Sequence, residues 1–259
     1  MCILTFLQPG ITPDLDALEG GAAANPHGHG YAVITDDRIL VGRGLDPQAM
    51  ISEFAAVRAN YPAGAALFHS RLATHGLIDP ANCHPFALGG DERTVMAHNG
   101  ILPITVHPVE GDLRSDTRIA AEDFLPTRPF GSLDSPPGRD RLERWLGHDK
   151  MVLLSIDPAY MHRAYLFNER YGYWTDKGIW YSNLSYRTAP GTIATYFDDT
   201  LRDRLSCLNC GEQDPGRVGS HCTHCGFCAA CWLRRFPHCE CRDLYRRDRY
   251  ADLDNYLTT

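Results

Sequence analysis

Apolar and polar positions change period several times along the chain, and the changes mark out its elements. Residues 2–7 form an apolar run of strand length. Residues 30–35 and 38–42 flank the polar pair Asp36-Asp37, the pattern of a β-hairpin. Pro47 then sits where a first helical turn accepts it, and Met50, Ile51, Phe54 and Val57 recur at helical spacing. Residues 65–71 and 94–98 read as further strands, the second ending in the tight pair Asn99-Gly100. Ser115 can cap a helix through Phe124, which Pro126 terminates. The Pro-, Gly- and Ser-rich stretch 126–138 predicts a surface connection, followed by a helix over 139–146. Short apolar or aromatic runs at 151–156, 164–167, 172–174 and 179–182 predict strands. Strands first and last with helices between predict an α+β fold, layers of antiparallel sheet covered by helices.

Composition narrows the class. With 259 residues, 44% apolar and 22% charged, the chain can bury one sizeable core and a small appendage. No stretch approaches the ~18 consecutive apolar residues of a membrane span. The start lacks a basic region and a signal-type apolar core, so the expected compartment is the cytoplasm. A net charge of −7 argues against a surface built for nucleic acid. The arginines at 234, 235, 242, 246, 247 and 249 are interrupted by Glu240, Asp243 and Asp248, which reads as a solvated mixed-charge surface.

The candidate chemistry begins at Cys2, directly behind Met1. Removal of Met1 would leave one residue carrying both a thiol and a free α-amine. Their reference pKa values are about 8.5 and about 7.7–8.0, so the amine can take the thiol proton at neutral pH. Nucleophile and base would then share a residue. Cysteine is also a common small buried hydrophobe, so Cys2 alone decides nothing.

Four segments give it company: Met1-Cys2, residues 68–76 (Phe-His-Ser-Arg-Leu-Ala-Thr-His-Gly), Ala97-His98-Asn99-Gly100, and Arg114-Ser115-Asp116-Thr117. In order and spacing they resemble the glutamine-hydrolysing domain of class II glutamine amidotransferases, members of the N-terminal nucleophile hydrolase superfamily. Softer matches lie at 25–30 and at Cys83-His84-Pro85-Phe86. The resemblance implies a four-layer αββα sandwich of antiparallel sheets over residues 1–198. It implies Cys2 as nucleophile, its amine as base, Asn99 and Gly100 as oxyanion hole, Arg71 and Asp116 as substrate ligands, and Thr74 and His75 as lining. Elementary chemistry agrees. Free glutamine shows one carboxylate, one ammonium and one amide, so its site needs a cation, an anion and oxyanion donors around a nucleophile. Arg71 can grip a carboxylate through two parallel hydrogen bonds, and Asp116 can take an ammonium. Taken singly, Asn99-Gly100 is also a hairpin turn, Asp116 a helix N-terminal charge and Arg71 a surface cation. His69, His75, His84 and His98 lack the His-Glu-x-x-His pattern of a metal hydrolase and read as neutral, hydrogen-bonded side chains.

Eight of the ten cysteines fall in residues 207–241. In a reducing compartment such close pairs read as metal ligands, and eight thiols suit two tetrahedral Zn²⁺ ions. A cross-braced, RING-like or zinc-ribbon-like pattern would place Cys207, Cys210, Cys228 and Cys231 on one ion and Cys222, Cys225, Cys239 and Cys241 on the other. His224 is a rival for Cys225, and the short Cys239-x-Cys241 pair departs from that pattern, so the pairing stays open. A module of ~40 residues cannot build enough core alone, so residues 199–259 are expected to fold on metal. No organic cofactor is expected.

The functional expectation is a glutaminase that passes ammonia to a separate acceptor or synthetase protein, because nothing after residue 200 is large enough to be one. Glutamine is the expected substrate; membrane and nucleic acid are not expected partners. The alternative is a non-catalytic, zinc-bearing adaptor that uses the same fold as a scaffold.

Overall fold

The computed structural model of the chain describes residues 2–187 and two short strands further on. The chain divides into two units, Met1–Gly191 and Thr192–Thr259. The first contains β1 (Ile3–Leu7), α1 (Leu15–Ala24), β2 (His29–Ile34), β3 (Ile39–Gly44), α2 (Pro47–Asn60), β4 (Ala66–Ser70), β5 (Phe86–Leu88) and β6 (Asp91–Asn99). It continues with α3 (Asp116–Ile119), α4 (Pro136–Leu146), β7 (Lys150–Ser155), β8 (Ala164–Phe167), β9 (Tyr173–Trp174) and β10 (Ile179–Tyr181).

Two antiparallel sheets result, one of order β3-β2-β4-β1-β10-β9 and one of order β5-β6-β7-β8. The period-2 alternation of each strand sends side chains to two different cores. Ile3 and Leu7 of β1 pack with Leu18 of α1 and Ile51 and Phe54 of α2. Leu4 and Phe6 face the other way, against Val95, Ala97, Val152 and Leu154 of the second sheet. Met96, Met151 and Leu153 form a third core with Ala120, Ala121, Leu142 and Leu146 of the helical segments. The layers therefore run helix, sheet, sheet, helix. Fully burying a Leu, Val or Phe side chain is worth about 1.5–3 kcal/mol, so this alternation, more than helix propensity, fixes the register.

Local signals account for the element ends. Asp46 accepts the N–H groups of Gln48 (2.9 Å) and Ala49 (3.1 Å) ahead of Pro47, as an N-cap should. The β2–β3 hairpin closes at Ile34↔Ile39, as the flanking pattern predicts. Besides the short strand β5, which the sequence reading did not mark, three features differ from it. Helix α1 carries no apolar period, because it is made of small residues; Gly21 lies so close to β1 that a Cβ there would stand 3.0 Å from Ile3 Cγ2. The helix capped by Ser115 is α-helical only through Ile119. It then widens into a π turn, Ala120–Phe124, closed by Leu125 N–H on the Ala120 carbonyl, and a 3-10 turn holding Pro126. The last helix starts inside the stretch assigned to a connection, because Ser135 caps it and Pro136 supplies its first turn.

No helix among the described residues is long and apolar enough to cross a membrane. In the second unit, Arg217–Val218 and His221–Cys222 pair antiparallel. Cys207, Cys210, Cys225, Cys228, Cys231, Cys239 and Cys241, with His224, lie outside the described residues, as does the side chain of Cys222.

Candidate active site

Cys2 stands at the start of β1, an inner strand bonded on one side to β4 and on the other to β10. Its carbonyl accepts Asn183 Nδ2 at 2.7 Å, which fixes the backbone beside the thiol. Its Sγ accepts the Leu72 N–H at 3.3 Å and lies 3.5 Å from the Leu72 carbonyl. Burial pushes the Cys2 thiol pKa up, while the Leu72 N–H and the Arg71 charge oppose the rise. The thiol therefore needs a base at hand to become a nucleophile.

Cys2 shares one small cleft with Arg71, Leu72, Thr74, His75, His84, His98, Gly100, Ser115, Asp116 and Thr117. Arg71 follows the end of β4 and is buried. Its Nη1 donates to the Leu77 carbonyl (2.7 Å) and its Nη2 to the His75 carbonyl (2.5 Å), so the loop orients the guanidinium with two of its five donors. Asn82 braces the same loop by donating to the Leu77 and Leu113 carbonyls (3.2 and 2.8 Å) and accepting the Ser115 N–H (3.0 Å). Among the described residues Arg71 has no carboxylate ion-pair partner within 4.0 Å. Burial lowers its pKa against the opposing pull of Cys2, Cys83 and Asp116.

Asp116 opens α3 and is buried. Its Oδ2 accepts the Leu102 N–H (2.9 Å) and its Oδ1 accepts both the Thr117 N–H (2.8 Å) and the Thr117 hydroxyl (3.4 Å), which leaves a lone pair on Oδ2. Gly100 has φ +151°, and a Cβ there would fall 1.9 Å from Asp149 Cγ, so only glycine fits. Asp149 in turn accepts the Ile101 N–H at 2.9 Å.

Asn99, at the end of β6, stands just outside the lining, with Nδ2 2.6 Å from Ser182 Oγ and Oδ1 buried without a partner. Ser182 Oγ also accepts the Leu4 N–H at 2.8 Å. Thr74 is exposed at the mouth and His75 half-buried. The cleft encloses about 10 Å³, room for about one water.

Four histidines, His29, His69, His84 and His98, are buried. The His69 and His84 rings lie 3.9 Å apart between centroids, tilted by 39°, and His98 bonds Thr117 Oγ1 at 3.2 Å. Burial pushes His29 down to about 4 and His69 to about 3, and drives His84 well below the usual histidine range. Sequence reasoning assigned no role to Ser182, to the Leu72 N–H or to Thr117, which it named only as the end of the segment 114–117. Ser182 stood at the polar end of an apolar strand, and a backbone donor leaves no sequence signal.

No protein-family model matches the chain. No curated protein matches it. Among solved structures, it is similar to a glutamine phosphoribosylpyrophosphate amidotransferase from B. subtilis complexed with ADP and GMP, at 14% identity and a TM-score of 0.44 over 74% of this chain and 44% of that one. It is similar to an allosteric regulatory enzyme of purine biosynthesis at 14% identity and a TM-score of 0.41, covering 70% of this chain and 41% of that one. A glutamine aminotransferase class-II domain protein from Silicibacter pomeroyi gives 16% identity and a TM-score of 0.32, covering 70% of this chain and 87% of that one. The chain thus spans less than half the length of the first two.

Proposed function

We propose that this chain is a class II-type glutaminase that releases ammonia from the side-chain amide of glutamine for an acceptor enzyme on another chain. One observation carries the reading: Arg71, a buried cation with no carboxylate partner among the described residues, shares a cleft with the Cys2 thiol and the Asp116 carboxylate. A buried unpaired cation is costly, and a carboxylate-bearing ligand removes the cost. An amino acid whose side chain carries an amide fits cation, anion and nucleophile together.

Cleavage before Cys2 would free its amine, which takes the thiol proton. The thiolate attacks the carboxamide carbon, and the oxyanion is held by the Gly100 N–H and the Asn99 amide. Ammonia leaves with the proton from the α-ammonium, and water cleaves the γ-glutamyl thioester to glutamate. Asn99 can serve once its amide is turned over. Ser182 O–H then donates to Oδ1, and Nδ2 becomes the buried group free to bind an oxyanion. That arrangement also gives the Ser182 hydrogen an acceptor while its oxygen still accepts the Leu4 N–H. The Cys-rich segment is read, on the soft thiolate chemistry and spacing of its donors, as holding two structural zinc ions.

The test is ammonia release from glutamine by the full chain, with its first residue verified by mass, beside Cys2→Ala. Turnover that vanishes in the variant supports the reading. Absence of turnover in a chain that begins at Cys2 overturns it in favour of the adaptor, and activity retained by Cys2→Ala removes Cys2 as nucleophile.

A further inference from the structure

Among the described residues one group of possible metal ligands converges: His75, His107 and Asp116, whose ligand atoms all lie within 4.8 Å of one another. They come from three separate segments: the loop after β4, the turn after Ile104–Val106, and the first turn of α3. A point central to three such atoms is at most about 2.8 Å from each. Zinc–nitrogen and zinc–oxygen bonds are about 2.0–2.2 Å, so closure around an ion asks for shifts below about 1 Å.

The surroundings are those of a ligand set. A carbonyl can only accept, so the 2.6 Å contact between His107 Nε2 and the Leu102 oxygen puts the hydrogen on Nε2 and the lone pair on Nδ1. His75 Nδ1 is buried and has no hydrogen-bond partner. Asp116 is held by the Leu102 and Thr117 N–H groups, and its Oδ2 keeps a lone pair free. The two imidazoles lie 4.4 Å apart between centroids, with their planes tilted by 45°.

We propose that His75, His107 and Asp116 form a divalent-cation site, fitted to Zn²⁺ by its two nitrogens and one carboxylate, and that an ion bound there excludes glutamine. The exclusion rests on the reading of Asp116 as the ammonium ligand: ion and ammonium claim the same carboxylate. His75 and Asp116 line the cleft that holds Cys2, whereas His107 is not part of that lining. Zinc should therefore raise the apparent KM for glutamine and leave kcat unchanged.

The experiment uses the full chain, already saturated with tightly bound zinc, titrated with further Zn²⁺ by calorimetry and with Co²⁺ by absorption. His107→Gln retains a donor for the Leu102 carbonyl but loses the imidazole; His107→Ala is the second variant, and the melting temperature of each is checked. One further ion should bind to the parent and to Cys2→Ala alike, with a cobalt spectrum lacking sulfur-to-metal charge transfer. Binding should weaken at least tenfold in both His107 variants, whose glutaminase activity stays within about twofold of the parent and is no longer inhibited by zinc. Equal affinity in parent and His107 variants, or binding lost in Cys2→Ala, would overturn the site. Binding is read without any turnover, so a chain that takes up the ion yet hydrolyses no glutamine sinks the functional reading and leaves the site standing.

Discussion

Asn99 Nδ2 stands 2.6 Å from Ser182 Oγ, and this contact ties the end of β6 in one sheet to the residue after β10 in the other. Ser182 also accepts the Leu4 N–H, two residues from the thiol. One hydroxyl thus sets the spacing between the strand that follows Cys2 and the strand that ends in Asn99.

Ser182→Ala should separate the two jobs of that hydroxyl. With Asn99 no longer oriented, kcat should fall about tenfold or more while KM for glutamine moves little, because the lost interaction is made in the transition state. The Leu4 N–H loses its side-chain acceptor, which costs about 1–3 kcal/mol of stability. Steady-state kinetics and urea denaturation read the two effects; a change confined to KM would reject the assigned role.

Arg71→Lys should lower kcat/KM for glutamine by about 30- to 150-fold, the equivalent of about 2–3 kcal/mol for a charge-assisted pair that a point charge cannot reproduce. A glutamine analogue lacking the α-carboxylate should be a poor substrate for the parent and equally poor for the variant. If the variant impairs the analogue as much as glutamine, Arg71 acts through the loop carbonyls of His75 and Leu77 rather than through substrate.

Gly100→Ala should destabilise the fold by about 2–4 kcal/mol, the combined cost of a positive φ and an overpacked contact. The added Cβ would meet the Asp149 carboxylate. Removing that carboxylate in Gly100→Ala/Asp149→Ala should recover part of the loss, as a denaturant double-mutant cycle would show. Additive losses would place the strain elsewhere.

Acid should weaken the fold before it affects the surface carboxylates. His29 and His69 titrate at about 4 and about 3 when folded, below the unfolded value of about 6.5. Between these values the unfolded chain binds protons that the folded chain does not, so stability is full above pH 6.5 and falls as pH drops. At pH 5 each histidine should cost on the order of 2 kcal/mol. Thermal melts from pH 8 to pH 4.5 should be flat above pH 7 and decline below pH 6, and His69→Gln should flatten the decline.

Metal analysis of the purified chain should return two zinc ions, and a chelator strong enough to strip them should unfold the segment 199–259. A zinc content of zero with the thiols free would dismiss the reading of the eight cysteines.

The legible parts of this chain are those where a side chain carries its own chemistry at an element boundary. Cys2 heads an apolar strand, Arg71 follows another, and Asp116 opens a helix behind its Ser115 cap; the structure brings all three to one cleft with Thr74, His75 and Gly100. The hairpin at Asp36-Asp37 and the helix from Pro47 were legible because turn and cap residues act locally. Helix α1 was not, since its packing relies on glycine and alanine, which leave no hydrophobic period. Nor was the π turn at Ala120–Phe124, a change of hydrogen-bond step that composition does not record. Ser182 and His107 matter through neighbours 83 and 5 residues away, and only the folded chain supplies those neighbours.

The tightness of the cleft has its own consequence. On the proposed glutaminase reading, a space of about 10 Å³ would leave newly formed ammonia almost no solvent from which to pick up a proton. The gas-like neutral species, which alone retains a nucleophilic lone pair, would persist for as long as the enclosure stays shut, and escape to bulk water would convert it to inert ammonium. On that reading Leu72, Thr74 and His75, which line the cleft, would also help decide whether the nitrogen leaves as a reagent or as waste.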